Sequence, residues 1–340
     1  MTSPSIDAPE RRPGPPDRRW CPVALVGPTA SGKSALALAV ARVVDGDAPP
    51  VELVSVDSMA VYRGMDIGTA KPTAEVRSEV PYHLVDLVDA AEEFTAPQFQ
   101  AAAASALAGI AERGHRALLV GGTGLYLRSL VDDLTFPGRF PDVAEALAAE
   151  LDAAGPSGSP EARQALAGLH ARLVRLDPMA ASRMEPTNRR RVIRALEVTV
   201  GSGRPFSTFG PGLDAYPPTS FALVGLPLAD DIDQRIEARF RAQMEAGFLD
   251  EVRALAARPG GLSRTARQAL GYRELLAHLE GGVPLDVAVS ETIRRTRVFA
   301  RRQWAWFRRD PRIVWVGGHD DAVARVCAAF GHGDPRRMGN

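Results

Sequence analysis

The stretch GPTASGKS, Gly27–Ser34, matches the pattern G-x-x-x-x-G-K-[ST] of loops that bind phosphate groups. It follows the apolar run VALV at 23–26 and precedes SALALAVARVV at 34–44, whose apolar residues have helical spacing. Strand, glycine-rich turn and helix are the context that the motif requires. Backbone N–H groups would surround an anion there, Lys33 would add positive charge, and Ser34 would ligate Mg²⁺. A triphosphate and a diphosphate present the same oxygens, so the motif alone leaves the ligand open.

Further apolar runs of strand length follow along the chain, mostly separated by helical stretches. This alternation predicts an α/β fold, with a P-loop NTPase-like parallel sheet flanked by helices. The runs are VELVSVDS (51–58), HLVDLVD (83–89), ALLVGGTG (117–124), FALVGLPL (221–228) and RIVWVGG (312–318).

Strand signals stop between 137 and 207, where helical patterns surround the flexible stretch AAGPSGSPEAR. We therefore predict an inserted all-helical subdomain at 137–207. The catalytic core then comprises 21–136 and 208–325. Residues 1–20 are rich in proline and arginine without apolar periodicity and are predicted to be disordered, and 326–340 are expected to form a flexible tail.

Composition excludes several classes of protein. No apolar run approaches the roughly 20 residues that span a bilayer, so we expect a cytoplasmic protein without membrane contact. Cys21 and Cys327 match no zinc or redox spacing and are expected to be buried, reduced thiols. Only two of the 41 basic residues are lysines, Lys33 and Lys71, and a compact ammonium suits phosphate. The net charge of zero gives no sign of a nucleic-acid partner by itself.

The second apolar run ends at Asp57, which in a nucleotide-hydrolysing protein would hold Mg²⁺ and position water. Such an aspartate does not require the polar, glycine-bearing run that follows at 57–73. Two alternatives remain open from these residues. A small-molecule kinase would use Lys33, Ser34 and Asp57 for ATP, but it leaves the arginine-rich segment 292–309 unexplained. A nucleic-acid-binding module with a nucleotide switch leaves 57–72 unexplained.

Seven stretches, in order, resemble the tRNA dimethylallyltransferase family over about residues 21–318. The resemblance implies a bacterial-type prenyltransferase, because the chain lacks the Cys/His zinc finger of some eukaryotic relatives. Such an enzyme transfers a dimethylallyl group from dimethylallyl diphosphate to the exocyclic N6 amine of the adenosine immediately 3′ of the anticodon, giving N6-isopentenyladenosine. A related hypothesis is prenylation of free adenine nucleotides, since enzymes with that activity have the same core motifs and do not need the insertion. The stretches are GPTASGKS (27–34), DSMAVYRGMDIGTAKP (57–72), VPYHLVD (80–86), GGTGLYL (121–127), RRRVIRALEV (189–198), ARQALGYREL (266–275) and TRVFARRQWAWF (296–307).

The resemblance also assigns roles at the phosphate loop. Loss of diphosphate leaves an allylic carbon with cationic character, so catalysis needs charge stabilisation on the leaving group and a base for the amine proton. Asp57 is expected to be the base, Thr123 a hydrogen-bond donor near the leaving oxygen, and Lys33 and Arg239 cations at the diphosphate. Mg²⁺ on Ser34 is the expected cofactor. The expected diphosphate-binding residues are Gly27, Pro28, Thr29, Ala30, Ser31, Gly32, Lys33 and Ser34.

The tRNA needs cationic contacts, since phosphate contacts supply most nucleic-acid affinity. Helical projection of 292–309 gathers Arg294, Arg297, Arg301 and Arg308 on one stripe, while only Glu291 and Asp310 offset the arginines along this segment. The opposite side carries Val289, Ile293, Ala300, Trp304 and Phe307. We expect tRNA contacts from Asp57, Ser58, Met59, Ala60, Thr123, Arg190, Arg191, Val192, Ile193, Arg194, Gln268, Gly271, Tyr272, Arg273, Arg297 and Arg301.

Some assignments stay open. Tyr272 would stack on a base or pack in the core, Lys71 would reach phosphate or tRNA, and His83 is more typical of a structural histidine. The family often carries an arginine where this chain has Ala144, and Arg139 is the available substitute. The expected partners are the tRNA anticodon stem-loop and dimethylallyl diphosphate, with no obligate protein partner and a monomeric state. The adenosine would leave its stack and enter a channel between core and insertion.

Overall fold

The computed structural model describes residues 20–43, 48–210, 212–317 and 319–331. The chain divides into two compact units, one formed by the residues up to Val131 and from Pro218 onward, the other by Asp132–Pro217. The disorder predicted for 1–20 falls outside the described residues except at Trp20. No helix among the described residues is long and apolar enough to cross a membrane.

The larger unit is built on a parallel sheet, which confirms the predicted α/β class. Within the described residues the sheet has six strands in the order β4-β2-β6-β1-β7-β8, and β3 and β5 form a separate pair. The strands are β1 (Val23–Val26), β2 (Val51–Val56), β3 (Tyr62–Arg63), β4 (Tyr82–His83), β5 (Val88–Asp89), β6 (Arg116–Gly121), β7 (Ala222–Gly225) and β8 (Val314–Trp315).

Helices cover both faces of this sheet. Strand β1 is buried on both sides: Ala24 and Val26 join one apolar cluster, while Val23 and Leu25 join another. The helices of this unit are α1 (Lys33–Arg42), α2 (Ala74–Glu79), α3 (Ala96–Glu112), α4 (Gly124–Val131), α9 (Ile232–Glu245), α10 (Phe248–Ala256), α11 (Tyr272–Gly281), α12 (Leu285–Phe307) and α13 (His319–Ala329).

The smaller unit contains helices and no strand among its described residues. They are α5 (Pro141–Ala153), α6 (Pro160–Leu176), α7 (Pro178–Ser182), α8 (Arg189–Ser202) and a 3₁₀ turn at Phe206–Phe209. Leucines from three of these helices form its core: Leu147, Leu169 and Leu196. The unit thus has its own apolar core, and its bounds are wider than the 137–207 expected from the sequence.

Three local expectations need correction. The run HLVDLVD does not form one strand, because Leu84 and Asp86 take left-handed φ values of 63° and 56° and separate β4 from β5. Residues 326–329, expected to begin a flexible tail, form the end of α13, and Val326 is buried in the core. Residues 332–340 lie outside the described part of the chain. Cys21 and Cys327, expected to be buried, are half-buried.

Candidate active site

The phosphate loop joins β1 to α1 at the carboxyl edge of the sheet, where ligands of open α/β folds bind. Gly27 must be glycine, because a Cβ there would lie 2.6 Å from the carbonyl oxygen of Leu226. Gly32, the N-cap of α1, has a left-handed φ of 96°. Ser34 is exposed and lines the cavity beside the loop. The loop therefore has the backbone form and open face that an anion needs.

Two cations and a carboxylate meet beside this loop. The Lys33 ammonium is buried and donates to the carbonyl oxygen of Pro28 at 2.5 Å. Burial and, to a smaller extent, the charge of Arg239 lower the pKa of Lys33, Asp57 raises it, and the net result is a pKa of about 7. Burial also lowers the pKa of Arg239, against the effect of Asp57. Because burial disfavours the charged forms of both cations and one carboxylate offsets them only in part, a bound anion would stabilise their charged forms.

Asp57 and Thr123 follow neighbouring strands and are held by the same turn. Asp57 Oδ1 accepts hydrogen bonds from the N–H groups of Met59 at 2.7 Å and Ala60 at 3.3 Å. Thr123 Oγ1 accepts from the Ser58 N–H at 3.1 Å. Because that oxygen is the acceptor, the Thr123 O–H can still donate to a ligand. The turn thus fixes a carboxylate and a hydroxyl donor at the sheet edge.

These side chains line a cavity of about 700 Å³ that lies within the larger unit. Its polar lining includes Lys33, Asp57, Thr123 and Arg239. Its apolar lining includes Ile236, Phe240, Phe248 and Phe299. Charged groups together with aromatic and aliphatic walls suit a ligand that has an anionic head and a short apolar chain.

The run that follows Asp57 is held in place by two helices. The Glu251 carboxylate on α10 accepts the N–H groups of Asp66 at 2.9 Å, Ile67 at 2.7 Å and Gly68 at 3.2 Å. Gln243 on α9 donates to the Ile67 carbonyl at 2.6 Å. A Cβ on Gly68 would lie 2.2 Å from the Phe248 ring. This part of the motif therefore needs its residues for close packing.

Lys71 and His83 both have partners within the protein. The Lys71 ammonium is buried and donates to Asp66 at 2.8 Å in its own loop and to Asp86 at 2.6 Å between β4 and β5. His83 lies 2.6 Å from the carboxylate of Glu52, which also binds Arg113 and His115. Glu52 stands near the start of β2, at the opposite end of that strand from Asp57. Both contacts are structural.

The QALGYR segment divides into exposed and buried residues. Gln268 and Arg273 are exposed, and Gln268 lines the main cavity. Tyr272 is fully buried, with its hydroxyl 2.5 Å from Glu251, which fits the alternative of packing in the core, and it also lines the main cavity. Gly271 is buried at a φ of 86°. Gln268, Ala269, Leu270 and Tyr272 line the main cavity, whereas Arg273 lines a second, smaller pocket together with Gln268.

The arginines of α12 are more strongly paired than the sequence indicated. Arg297 contacts Glu237 at 2.8 Å and Arg301 contacts Asp233 at 2.7 Å, both acids lying on α9. The expectation that only Glu291 and Asp310 offset these arginines was wrong, because helical projection of one segment ignores charges on a neighbouring helix. Arg302, Arg308 and Arg309 are exposed. On the opposite side Ala300 and Phe307 are buried and Val289, Ile293 and Trp304 are half-buried.

The residues of the arginine cluster in the smaller unit, 190–194, differ in exposure to solvent. Arg190 and Arg191 are exposed on the first turn of α8. Val192 is buried and Ile193 packs against the same core, so these two residues stabilise the unit. Arg194 contacts Glu197 at 2.6 Å and donates to the Pro137 carbonyl. Arg139 is exposed just before α5, and Ala144 lies within that helix.

Sequence reasoning missed Gln303, Glu251 and Gln243. Gln303 is buried on α12 and hydrogen-bonds to two loops of the site. The signal that could have identified it is a polar residue between Ala300 and Trp304, on the apolar side of an amphipathic helix. Glu251 and Gln243 carry no such signal, because both bind backbone groups more than a hundred residues away in the sequence.

Comparisons with known proteins agree with this geometry. A sequence model described as IPP transferase matches residues 60–310. A protein of Streptomyces coelicolor named tRNA dimethylallyltransferase is 44% identical over 87% of this chain and 90% of its own length. A Salinispora arenicola protein of the same name is 46% identical over 90% of this chain and 86% of its own.

Solved structures show the same likeness. The tRNA isopentenylpyrophosphate transferase of Bacillus halodurans is 34% identical, with a TM-score of 0.61 over 90% of this chain and 94% of that one. A eukaryotic dimethylallyltransferase acting on tRNA is 23% identical with a TM-score of 0.64, which shows a shared fold. The family match, the bacterial relatives and the phosphate-loop geometry together confirm the resemblance seen in the sequence, and this chain belongs to the IPP transferase family.

Proposed function

We propose that the protein transfers the dimethylallyl group of dimethylallyl diphosphate to N6 of the adenosine immediately 3′ of the anticodon in tRNA. The observation that carries this proposal is the convergence of Lys33, Arg239, Asp57 and Thr123 on one cavity with apolar walls. The names of the relatives, tRNA dimethylallyltransferases, support the substrate pair.

In the proposed reaction the bond between the allylic carbon and the diphosphate oxygen breaks, and its electron pair leaves with the diphosphate. The N6 lone pair forms the new bond to carbon, and the N6 proton passes to Asp57. Lys33, Arg239, the loop amides and the Thr123 hydroxyl stabilise the charge that develops on the leaving oxygen. Lys33 is held by the Pro28 carbonyl and Thr123 by the Ser58 N–H, so these two groups need little reorganisation during bond breaking.

Mg²⁺ fits the donor set of this cavity. The Ser34 hydroxyl and the Asp57 carboxylate both line it, and hard oxygen ligands are those that Mg²⁺ prefers. Ser34 would hold the ion, which when bound neutralises part of the diphosphate charge. The Met59 and Ala60 amides bind one oxygen of Asp57. We assign Asp57 to the amine proton, and metal ligation is the competing role.

The tRNA would be held by exposed cations. Candidates are Arg190 and Arg191 on α8, Arg273 on α11, and Arg301 on α12, which stays 51% exposed despite its ion pair. The target base must leave its stack, because the amine of a stacked base cannot reach a carbon bound inside a cavity. We propose a monomer that acts in the cytoplasm on the anticodon stem-loop.

One assay separates this proposal from its alternatives. The protein is incubated with radiolabelled dimethylallyl diphosphate, Mg²⁺ and bulk tRNA. In one control labelled ATP replaces dimethylallyl diphosphate, and in another AMP replaces tRNA. We expect label in tRNA without ATP. Label in AMP and none in tRNA would favour prenylation of free nucleotides. Phosphorylation by ATP without prenyl transfer would favour the kinase.

A further inference from the structure

Gln303 joins two loops that are far apart in sequence. Its Oε1 accepts a hydrogen bond from the N–H of Thr29 in the phosphate loop at 2.8 Å. Its Nε2 donates to the carbonyl oxygen of Gly122, in the loop after β6, at 2.9 Å. The side chain is 8% exposed, so water competes little for either bond.

Close packing between α12 and the loop after β6 fixes this bridge. A Cβ on Gly122 would lie 2.2 Å from Gln303 Nε2, and a Cβ on Gly124 would lie 2.2 Å from the Trp306 indole nitrogen. Both distances are too short for any side chain. The two glycines thus let the helix approach the loop closely enough for the Gln303 amide to bond to its backbone.

The bridge lies where the sheet stops holding the two loops together. Strands β1 and β6 pair up to Val26 and Gly121, and the residues that follow leave the ladder. The phosphate loop carries Lys33, and the second loop carries Thr123, next to Gly122. Their relative position beyond the sheet edge therefore depends on contacts such as that of Gln303.

We propose that Gln303 is a positioning residue that holds the phosphate loop and the loop after β6 at a fixed separation, so that Lys33 and Thr123 act on one diphosphate. The inference rests on the proposed function for its ligand. Displacement of a catalytic group by about 1 Å can lower a rate by roughly 10²-fold, so such a bridge has catalytic value.

The side-chain amide of Gln303 is required because the phosphate loop offers an N–H donor and the loop after β6 offers a carbonyl acceptor. Glutamate keeps the acceptor for Thr29 but has no donor for Gly122, and it brings a negative charge toward the diphosphate. Methionine has a similar length and makes neither bond. The two variants therefore separate loss of one bond from loss of both.

The test compares Gln303→Met and Gln303→Glu with Gln100→Met. Gln100 on α3 donates to the Ser129 carbonyl at 2.7 Å and does not line the cavity, so this control loses a part-buried side-chain hydrogen bond elsewhere. Three quantities are measured for each protein: the thermal unfolding midpoint, kcat and KM for prenyl transfer, and amide exchange of the peptides spanning 27–34 and 119–126 in the unligated protein.

We expect Gln303→Met to lower kcat by about 10-fold to 10²-fold, with a midpoint shift similar to that of Gln100→Met, and to speed exchange in the phosphate-loop peptide. Gln303→Glu should keep exchange at Thr29 slow and still lose activity. A kcat for Gln303→Met within twofold of wild type, or unchanged phosphate-loop exchange, would overturn the proposal. The exchange measurement needs no turnover, so it still tests Gln303 if the wild type fails to prenylate tRNA. If Gln303→Met does not fold, Gln303→Glu decides by exchange: faster exchange in the 119–126 peptide supports the proposal, and unchanged exchange in that peptide overturns it.

Discussion

The guanidinium of Arg297 on α12 lies 2.8 Å from the carboxylate of Glu237 on α9. Arg301, one turn further, contacts Asp233 on the same helix at 2.7 Å. Because α9 also carries Arg239, these pairs tie the arginine-bearing helix to the helix that supplies a cation to the cavity. The two arginines differ in exposure, 33% for Arg297 and 51% for Arg301, so they should respond differently to substitution.

We expect Arg301→Gln to weaken tRNA binding and to reduce the slope of log K against log salt by up to about 1. Arg297→Gln should mainly lower thermal stability, because its guanidinium is bound to two groups on α9, Glu237 and the Asp233 carbonyl. Filter binding of tRNA at several salt concentrations measures the slope. Equal slopes for wild type and Arg301→Gln would mean that Arg301 makes no tRNA phosphate contact and has only a structural role.

Asp57→Asn tests the proposed base. An asparagine oxygen can still accept from Met59 and Ala60, so the turn should persist, while basicity and charge are lost. We expect turnover to fall by about 10²-fold or more, with dimethylallyl diphosphate affinity in the presence of Mg²⁺ unchanged within a few fold. Single-turnover kinetics and calorimetry measure the two quantities. Collapse of affinity together with rate would assign Asp57 to the metal instead.

Thr123 offers a matched pair of variants. Thr123→Ser keeps the hydroxyl that accepts from Ser58 and donates to the leaving oxygen, and Thr123→Val has nearly the same shape without it. We expect kcat to fall by about 10²-fold in Thr123→Val and by less than tenfold in Thr123→Ser. Comparable losses in the two variants would mean that packing, not the hydroxyl, matters at this position.

Glu52 should govern part of the acid stability. Burial raises its pKa, but hydrogen bonds from Arg113, His83 and His115 outweigh burial and bring the pKa to about 2 from 4.5. The folded value lies below the unfolded one, so the unfolded chain binds more protons between these pH values. Glu52 therefore contributes about 3 kcal/mol at neutral pH, and this contribution is lost as pH falls from about 4.5 toward 2.

Glu52→Gln checks this account by urea unfolding at several pH values. We expect the variant to be less stable than wild type at pH 7 and the difference to shrink below about pH 4.5, since both side chains become neutral. Prenyl transfer should stay near wild type in the folded variant, because the cluster is remote from Asp57. A stability difference that does not change with pH would contradict the assigned cause.

The parts of the site that could be predicted from sequence are those encoded locally. The phosphate loop and the strand that precedes Asp57 depend on residues close to them in the sequence, so the sequence pattern predicts them. Partners across the fold are not: Tyr272 and Lys71 carry chemistry that suits a ligand, and the structure occupies both with internal contacts. Long-range pairs such as Arg297 with Glu237 need the packing of two helices to be known.

The most direct test of the central claim locates the new group on the product. Unmodified tRNA is incubated with the protein, dimethylallyl diphosphate and Mg²⁺, then cut with a base-specific nuclease and analysed by mass spectrometry, with Asp57→Asn as the matched control. We predict a dimethylallyl mass on N6 of the adenosine immediately 3′ of the anticodon, and far less of it with the control. A product modified at another nucleoside, or unmodified tRNA after complete incubation, would contradict the account.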